Sequence, residues 1–136
     1  MTDPVVIDTN ILFSALLSRR SRFATALFSS KRDFYINELV LAELFRHKEK
    51  VVRLSKLRDD EIIQLYYRVL WRLTLFKEDL VTTENRRHAF DLCRGVDETD
   101  APHVAITLEL QGLLWTGDQT LRRGLQAKGF TRFFEP

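Results

Sequence analysis

Val5-Val6-Ile7-Asp8-Thr9-Asn10-Ile11-Leu12-Phe13 is the stretch whose reading decides the fold. Val5, Val6 and Ile7 are apolar and β-branched, the composition of a short buried strand. Asp8, Thr9 and Asn10 are polar, and Ile11, Leu12, Phe13, Ala15 and Leu16 follow with helical spacing, so a helix is expected from Thr9 to Leu17. A buried strand that passes through a carboxylate into a helix is how open α/β sheets present a reactive group, because their ligands sit outside the carboxyl ends of the strands. The competing reading is that Asp8 or Thr9 only caps the helix. This stretch alone leaves both open.

Working outward, Phe23, Ala24, Leu27 and Phe28 give a second helical pattern after a break at 18–21, and Phe34-Tyr35-Ile36 a short strand. Asn37 is placed to cap a helix running from Glu38 to Val52. Ile62, Leu65, Tyr66, Val69, Leu70 and Leu73 recur with a helical period. Thr74-Leu75-Phe76 reads as a strand and Thr83 to Arg94 as a helix whose inner face holds Ala89, Phe90 and Cys93. Pro102 suits the first turn of the next helix, where a missing N–H costs little, and Gly112 closes it. Leu113-Leu114-Trp115 is a strand, Asp118 opens the last helix to Ala127, and Phe130 to Phe134 would add an edge strand. Strands alternate with helices, which predicts an α/β fold with a parallel sheet covered on both faces.

The 136 residues suit one domain, 1–136, with a substantial core. Hydrophobic residues at 45% and charged residues at 29% place the chain among globular proteins. The single cysteine, Cys93, excludes an internal disulfide and a cysteine-rich zinc site. With no apolar run of membrane-spanning length and no signal peptide, no membrane partner is expected and the location is taken as cytoplasmic. The net charge of +2 says little, but its distribution says more. Arg46, Lys48, Lys50, Arg53, Lys56 and Arg58, with His47, face only Glu49 before Asp59, and smaller basic groups occur at 19–22 and at Arg122-Arg123. Such a run reads either as a solvated face or as a strip for a phosphate backbone.

Asp8, Asp100 and Asp118 each stand at the start of an expected helix, and Asp8 and Asp118 each follow a strand. Parallel strand ends share one edge, so these two carboxylates can meet although 110 residues separate them. Glu43 shares a helix face with Arg46, His47 and Lys50, either as a solvated stripe or pointing into a cleft whose basic neighbours meet a polyanion. Gathered carboxylates repel one another unless a cation joins them or one takes up a proton. An all-oxygen set suits Mg²⁺ or Mn²⁺ better than zinc. A metal so held can polarise a phosphoryl oxygen and generate hydroxide, the chemistry of a phosphodiesterase.

The stretches VVIDTNILFSAL, LVLAELFRHKEK, VDETDAPHVAITLEL and LLWTGDQTLRRG, in this order and spacing, resemble the PIN domain, and among PIN proteins the compact prokaryotic ones that include the toxins of VapBC-type toxin–antitoxin pairs. The resemblance implies a three-layer α/β/α sandwich around a parallel sheet of about five strands. It also implies an Mg²⁺- or Mn²⁺-dependent endoribonuclease with an RNA substrate and a cognate antitoxin protein; a homodimer is expected separately, from the large aromatic side chains named below. Carried over by position, Asp8, Glu43, Asp100 and Asp118 match the family's catalytic acids, with Asp8, Asp100 and Asp118 on the metal. Asp97 is a second-tier acid, and Thr9, Asn10 and Thr116 match polar positions that steady the acids. Arg46, His47 and Lys50 are the expected RNA contacts, and His103 a neighbour of the site. The DAPHVA segment and Trp115 depart from the best-studied toxins, which bears on the toxin role more than on the fold or metal site.

Two other readings compete. A non-catalytic RNA-binding or scaffold module on the same fold would be expected to have lost one of the acids, and none is missing. A phosphoacceptor signalling domain needs an aspartate at the end of a middle strand, and no strand near Phe34-Tyr35-Ile36 ends in one. Finally, Tyr66, Tyr67, Trp71, Phe76, Phe133 and Phe134 are many large side chains for a small domain, and some are expected in a dimer or antitoxin interface.

Overall fold

The computed structural model describes residues 2–17 and 21–136; the break at 18–20, with Arg19 and Arg20, lies outside them. The apolar runs form four strands: β1 (Val5–Ile7), β2 (Phe34–Asn37), β3 (Leu73–Phe76) and β4 (Leu113–Trp115). All neighbours pair in parallel, in the order β3-β2-β1-β4. The chain therefore winds outward from β1 through β2 to β3, then returns to place β4 on the other side of β1. That reversal makes the carboxyl ends of β1 and β4 the switch point where open α/β sheets take ligands.

Helices cover both faces. On one lie α1 (Thr9–Leu17), α2 (Arg22–Ser29), α3 (Leu39–Arg46), α4 (Lys48–Ser55) and α5 (Asp59–Trp71); on the other α6 (Thr83–Cys93), α7 (Ala101–Leu110) and α8 (Gln119–Ala127). Side chains alternate across the sheet with the period of two that strands impose. Val5 and Ile7 join Phe34, Ile36 and Trp115 in a core with Leu12, Leu16, Leu27, Val40, Leu44, Leu65 and Val69. Val6 joins Leu114 in a second core with Ala89, Leu92, Val104, Ile106, Leu121 and Leu125. The three-layer architecture expected from the alternating pattern is present.

Two expectations are corrected. The fifth strand is only an isolated parallel bridge between Leu114 and Phe133. Phe133 and Phe134 are instead buried on opposite faces of the sheet, one in each core. The helix expected from Glu38 to Val52 is bent at His47, whose backbone (φ −108°, ψ 15°) leaves the helical region and separates α3 from α4. The buried positions Val40, Leu44, Val51 and Ser55 keep helical spacing straight through the bend, so periodicity carries no sign of it. The His47 ring sits edge-on to Phe13, with centroids 6.0 Å apart, which fixes the bend against α1.

Candidate metal centre

At the switch point the pairing of Ile7 with Trp115 sets Asp8 beside Thr116. Asp8 N donates to Trp115 O at 3.1 Å, so the strands separate only beyond that bond. The buried Asp8 carboxylate accepts from Ile11 N at 2.8 Å through Oδ1, capping α1, and also from the Thr116 hydroxyl. Thr116 Oγ1 in turn accepts from Asp118 N at 3.1 Å, and Asp118 Oδ1 caps α8 by accepting from Leu121 N at 3.0 Å. One threonine thus ties the two strand-end acids together.

The third acid arrives differently. Asp100 stands before α7 without making a side-chain cap bond, at the end of a 3₁₀ turn over Glu98–Asp100. That turn folds Asp97 back, its Oδ1 accepting from Thr99 N at 3.0 Å and Thr99 Oγ1 at 2.6 Å. Asp97, Asp100 and Asp118 then present carboxylate oxygens that all lie within 4.8 Å of one another. The close group therefore takes in Asp97, read from sequence as a second-tier acid, while Asp8 stands outside it. Sequence does not show this, because Asp97 comes near through the turn that its bonds with Thr99 close.

These acids line one cleft of about 530 Å³, together with Thr9, Asn10, Glu43, His47, Lys50 and His103. Glu43, on α3, and Lys50, on α4, line the same cleft, and the charge of Glu43 acts on His103. Arg46 is exposed outside the cleft lining. His103 is buried; its Nε2 lies 3.4 Å from Thr9 Oγ1 and its Nδ1 has no hydrogen-bond partner. It stands three residues after Asp100 in the first turn of α7, the one spacing by which sequence could point to it.

The electrostatics record the crowding. Burial, then the charges of Asp97 and Asp8, push the Asp100 carboxyl up to about 7, and its hydrogen bond to Asp97 adds to the rise. The Thr99 hydroxyl holds Asp97 below the usual carboxylate range. Burial raises Asp8 against the pull of its hydrogen bonds, and the charge of Asp118 adds to the rise. Burial lowers His103 to about 4, leaving a neutral imidazole. Cys93, buried at the end of α6, is pushed up to about 11 and is an inert thiol rather than a ligand.

Burial first and neighbouring carboxylates second make Asp100 hard to ionise, and a cation at the site would offset both. The donors are all carboxylate oxygens, the chemistry of a hard divalent ion. Asp97, Asp100 and Asp118 fit such an ion, with Asp8 held behind them by Thr116.

Among curated proteins a search found no match. A family model described as PIN domain matches residues 6–133, from the middle of β1 to the Phe133 bridge, and so takes in every acid of the cleft. PIN domains are generally nucleases that use a divalent metal. This chain belongs to the PIN domain family.

Proposed function

We propose that the protein is an Mg²⁺- or Mn²⁺-dependent endoribonuclease acting in the cytoplasm, and that it is the toxin of a VapBC-type pair. The observation that carries the nuclease reading is the convergence of Asp8, Glu43, Asp97, Asp100 and Asp118 on one cleft at the switch point, with Lys50 and His47 beside them. When bound, a divalent ion supplies polarisation of the scissile phosphoryl oxygen and a nucleophile at neutral pH. Asp97, Asp100 and Asp118 hold that ion; Thr116 orients Asp8 and Asp118. Glu43, which lines the same cleft, would accept the proton of an attacking water. Lys50, His47 and, further out, Arg46 attract the RNA backbone.

The partner part of the reading is supported by a second cleft, an apolar groove of about 530 Å³ between α3–α4 and α5. Phe45 and Tyr67 are 72% exposed at its edges, and Trp71 just beyond is 90% exposed. Of the six aromatics expected at an interface, Tyr67 and Trp71 are therefore on the surface and Phe133 and Phe134 are core. An antitoxin or a second copy of the chain covers this groove in the proposed toxin.

The test of the enzyme is cleavage of an RNA panel by the purified protein in Mg²⁺, Mn²⁺ or EDTA, beside Asp8→Asn and Asp100→Asn. Metal-dependent cutting lost in both variants is expected. Cutting that survives EDTA or either substitution refutes it, and RNA binding without cutting under any divalent ion moves the reading to a non-catalytic RNA-binding module.

A further inference from the structure

A third cleft, of about 760 Å³, lies on the other side of the ridge that carries the metal-site acids. Its floor is the end of β4, Trp115 to Gly117, and its walls are α2 and α8. Consecutive residues just beyond β1 and β4 divide between the two clefts. Asn10 faces the acidic cleft and Ile11 this one; Asp118 faces the acidic cleft and Gly117 this one. A single strand of RNA lying across the carboxyl edge of the sheet at the acids therefore continues from the acidic cleft into this groove.

What meets it there is chemically distinct from the acidic cleft. Arg22 opens α2 and Arg122 lies on α8, both lining the groove. Arg22 is exposed, its guanidinium 4.9 Å from the centre of the Phe23 ring, and it pairs with no carboxylate among the described residues. Arg122 stacks at 4.9 Å over Phe133 and pairs with Glu135, the only acidic side chain in the lining. Thr25 and Gln119 add polar groups beside the half-buried Phe23 ring. Guanidinium groups, an aromatic face and amide or hydroxyl groups are what a nucleotide requires of a protein: charge for the phosphate, a platform for the base, and donors and acceptors for its edge. The volume falls within the range of pockets that take molecules of nucleotide size.

We propose that the groove between α2 and α8 is a second RNA subsite, which holds the nucleotide next to the scissile phosphate through Arg22 and Arg122. This rests on the ribonuclease reading above. Glu135 acts there as a stand-in anion that an incoming phosphate displaces from Arg122.

The experiment is fluorescence anisotropy of a fluorescein-labelled single-stranded RNA against Asp100→Asn protein in Mg²⁺, at several salt concentrations. Adding Arg22→Ala is expected to weaken binding and flatten the slope of log K against log salt by about 0.7, the share of one phosphate on a single strand. Adding Glu135→Gln is expected to tighten binding, and Arg87→Ala, exposed on α6 and lining neither cleft, to leave the slope unaltered. An unchanged slope in Arg22→Ala, with RNA bound by the parent, overturns the subsite and spares the nuclease reading. Failure of the parent to bind any RNA overturns both.

Discussion

Asp8 Oδ1 accepts the Ile11 N–H at 2.8 Å while the same carboxylate faces the acids of the cleft. Cap and site residue, which the sequence offered as alternatives, are here one side chain. A carboxylate has lone pairs for both, and the helix N-terminus favours the anion that the site needs.

Two substitutions separate these roles. Asp8→Asn keeps an oxygen for the cap and removes a buried charge, so its stability should equal or exceed that of the parent. Asp8→Ala loses the cap and should be less stable than Asp8→Asn by about 1 kcal/mol. RNA cleavage should vanish in both. Urea denaturation in EDTA compares the pair, and an Asp8→Ala protein as stable as Asp8→Asn would contradict the cap.

Asp100 and His103 push the pH dependence of stability in opposite senses. With Asp100 raised from 3.8 to about 7, the metal-free folded state holds a proton the unfolded chain has lost, so this contribution falls as pH rises between those values. Asp8, also raised, acts in the same sense. With His103 lowered from 6.5 to about 4, the unfolded chain binds the extra proton, and this contribution falls as pH drops through that window. Relative to the parent in EDTA, Asp100→Asn should therefore lose more stability on acidification, and His103→Gln should lose less or gain. Denaturation midpoints across the window decide it; parallel profiles for all three proteins would refute both assignments. Mn²⁺ should abolish the Asp100 contribution, because the ion holds the carboxylate ionised.

Gly124 in α8 faces Val96, the residue before Asp97. A Cβ at Gly124 would fall 2.5 Å from Val96 Cγ1 and 2.7 Å from Cγ2. Alanine favours a helix interior over glycine by about 1 kcal/mol. The stiff, β-branched Val96 cannot turn aside, so the strain must be met by moving the backbone that carries Asp97. Gly124→Ala should leave a folded protein whose Mn²⁺ affinity drops several-fold, measured by calorimetry, and Val96→Ala in the same chain should restore it. An unaltered affinity in Gly124→Ala would show that the Asp97 turn is positioned by something else.

The apolar groove gives a test of assembly. If a second copy covers it, Phe45→Ser or Tyr67→Ser should convert a dimer to a monomer in light scattering without lowering the denaturation midpoint, since both side chains are 72% exposed within the single chain. A dimer that survives both substitutions would place its interface elsewhere.

Much of the molecule was legible because local and tertiary signals agree. Val5-Val6-Ile7 and Leu113-Leu114-Trp115 are apolar on consecutive positions, as strands buried on both faces must be, and they bracket the site. Pro102 marked the start of α7, whose first turn follows Asp100 directly. What stayed hidden depends on distance across the fold. The bend at His47 leaves the apolar spacing of α3 and α4 intact. Asp97 enters the close acidic group only because Thr99 folds it back toward Asp100. The desolvation of His103 comes from neighbours remote in sequence, among them Thr9, 94 residues away.

The two cores on either side of the sheet divide the labour of the cleft. Asp97, Asp100 and Asp118 all belong to segments anchored in the core of α6, α7 and α8, through Val96, Ala101 and Leu121. Glu43, His47 and Lys50 ride on α3 and α4 in the other core, beside Leu44 and Val51. In the proposed nuclease, ion capture and polymer grip are thus underwritten by separate hydrophobic bodies on opposite faces of the sheet. If the chain is the proposed nuclease, damage to either body disables it by its own route: one leaves a chain that grips RNA without its ion, the other a chain that keeps its ion and lets the RNA go.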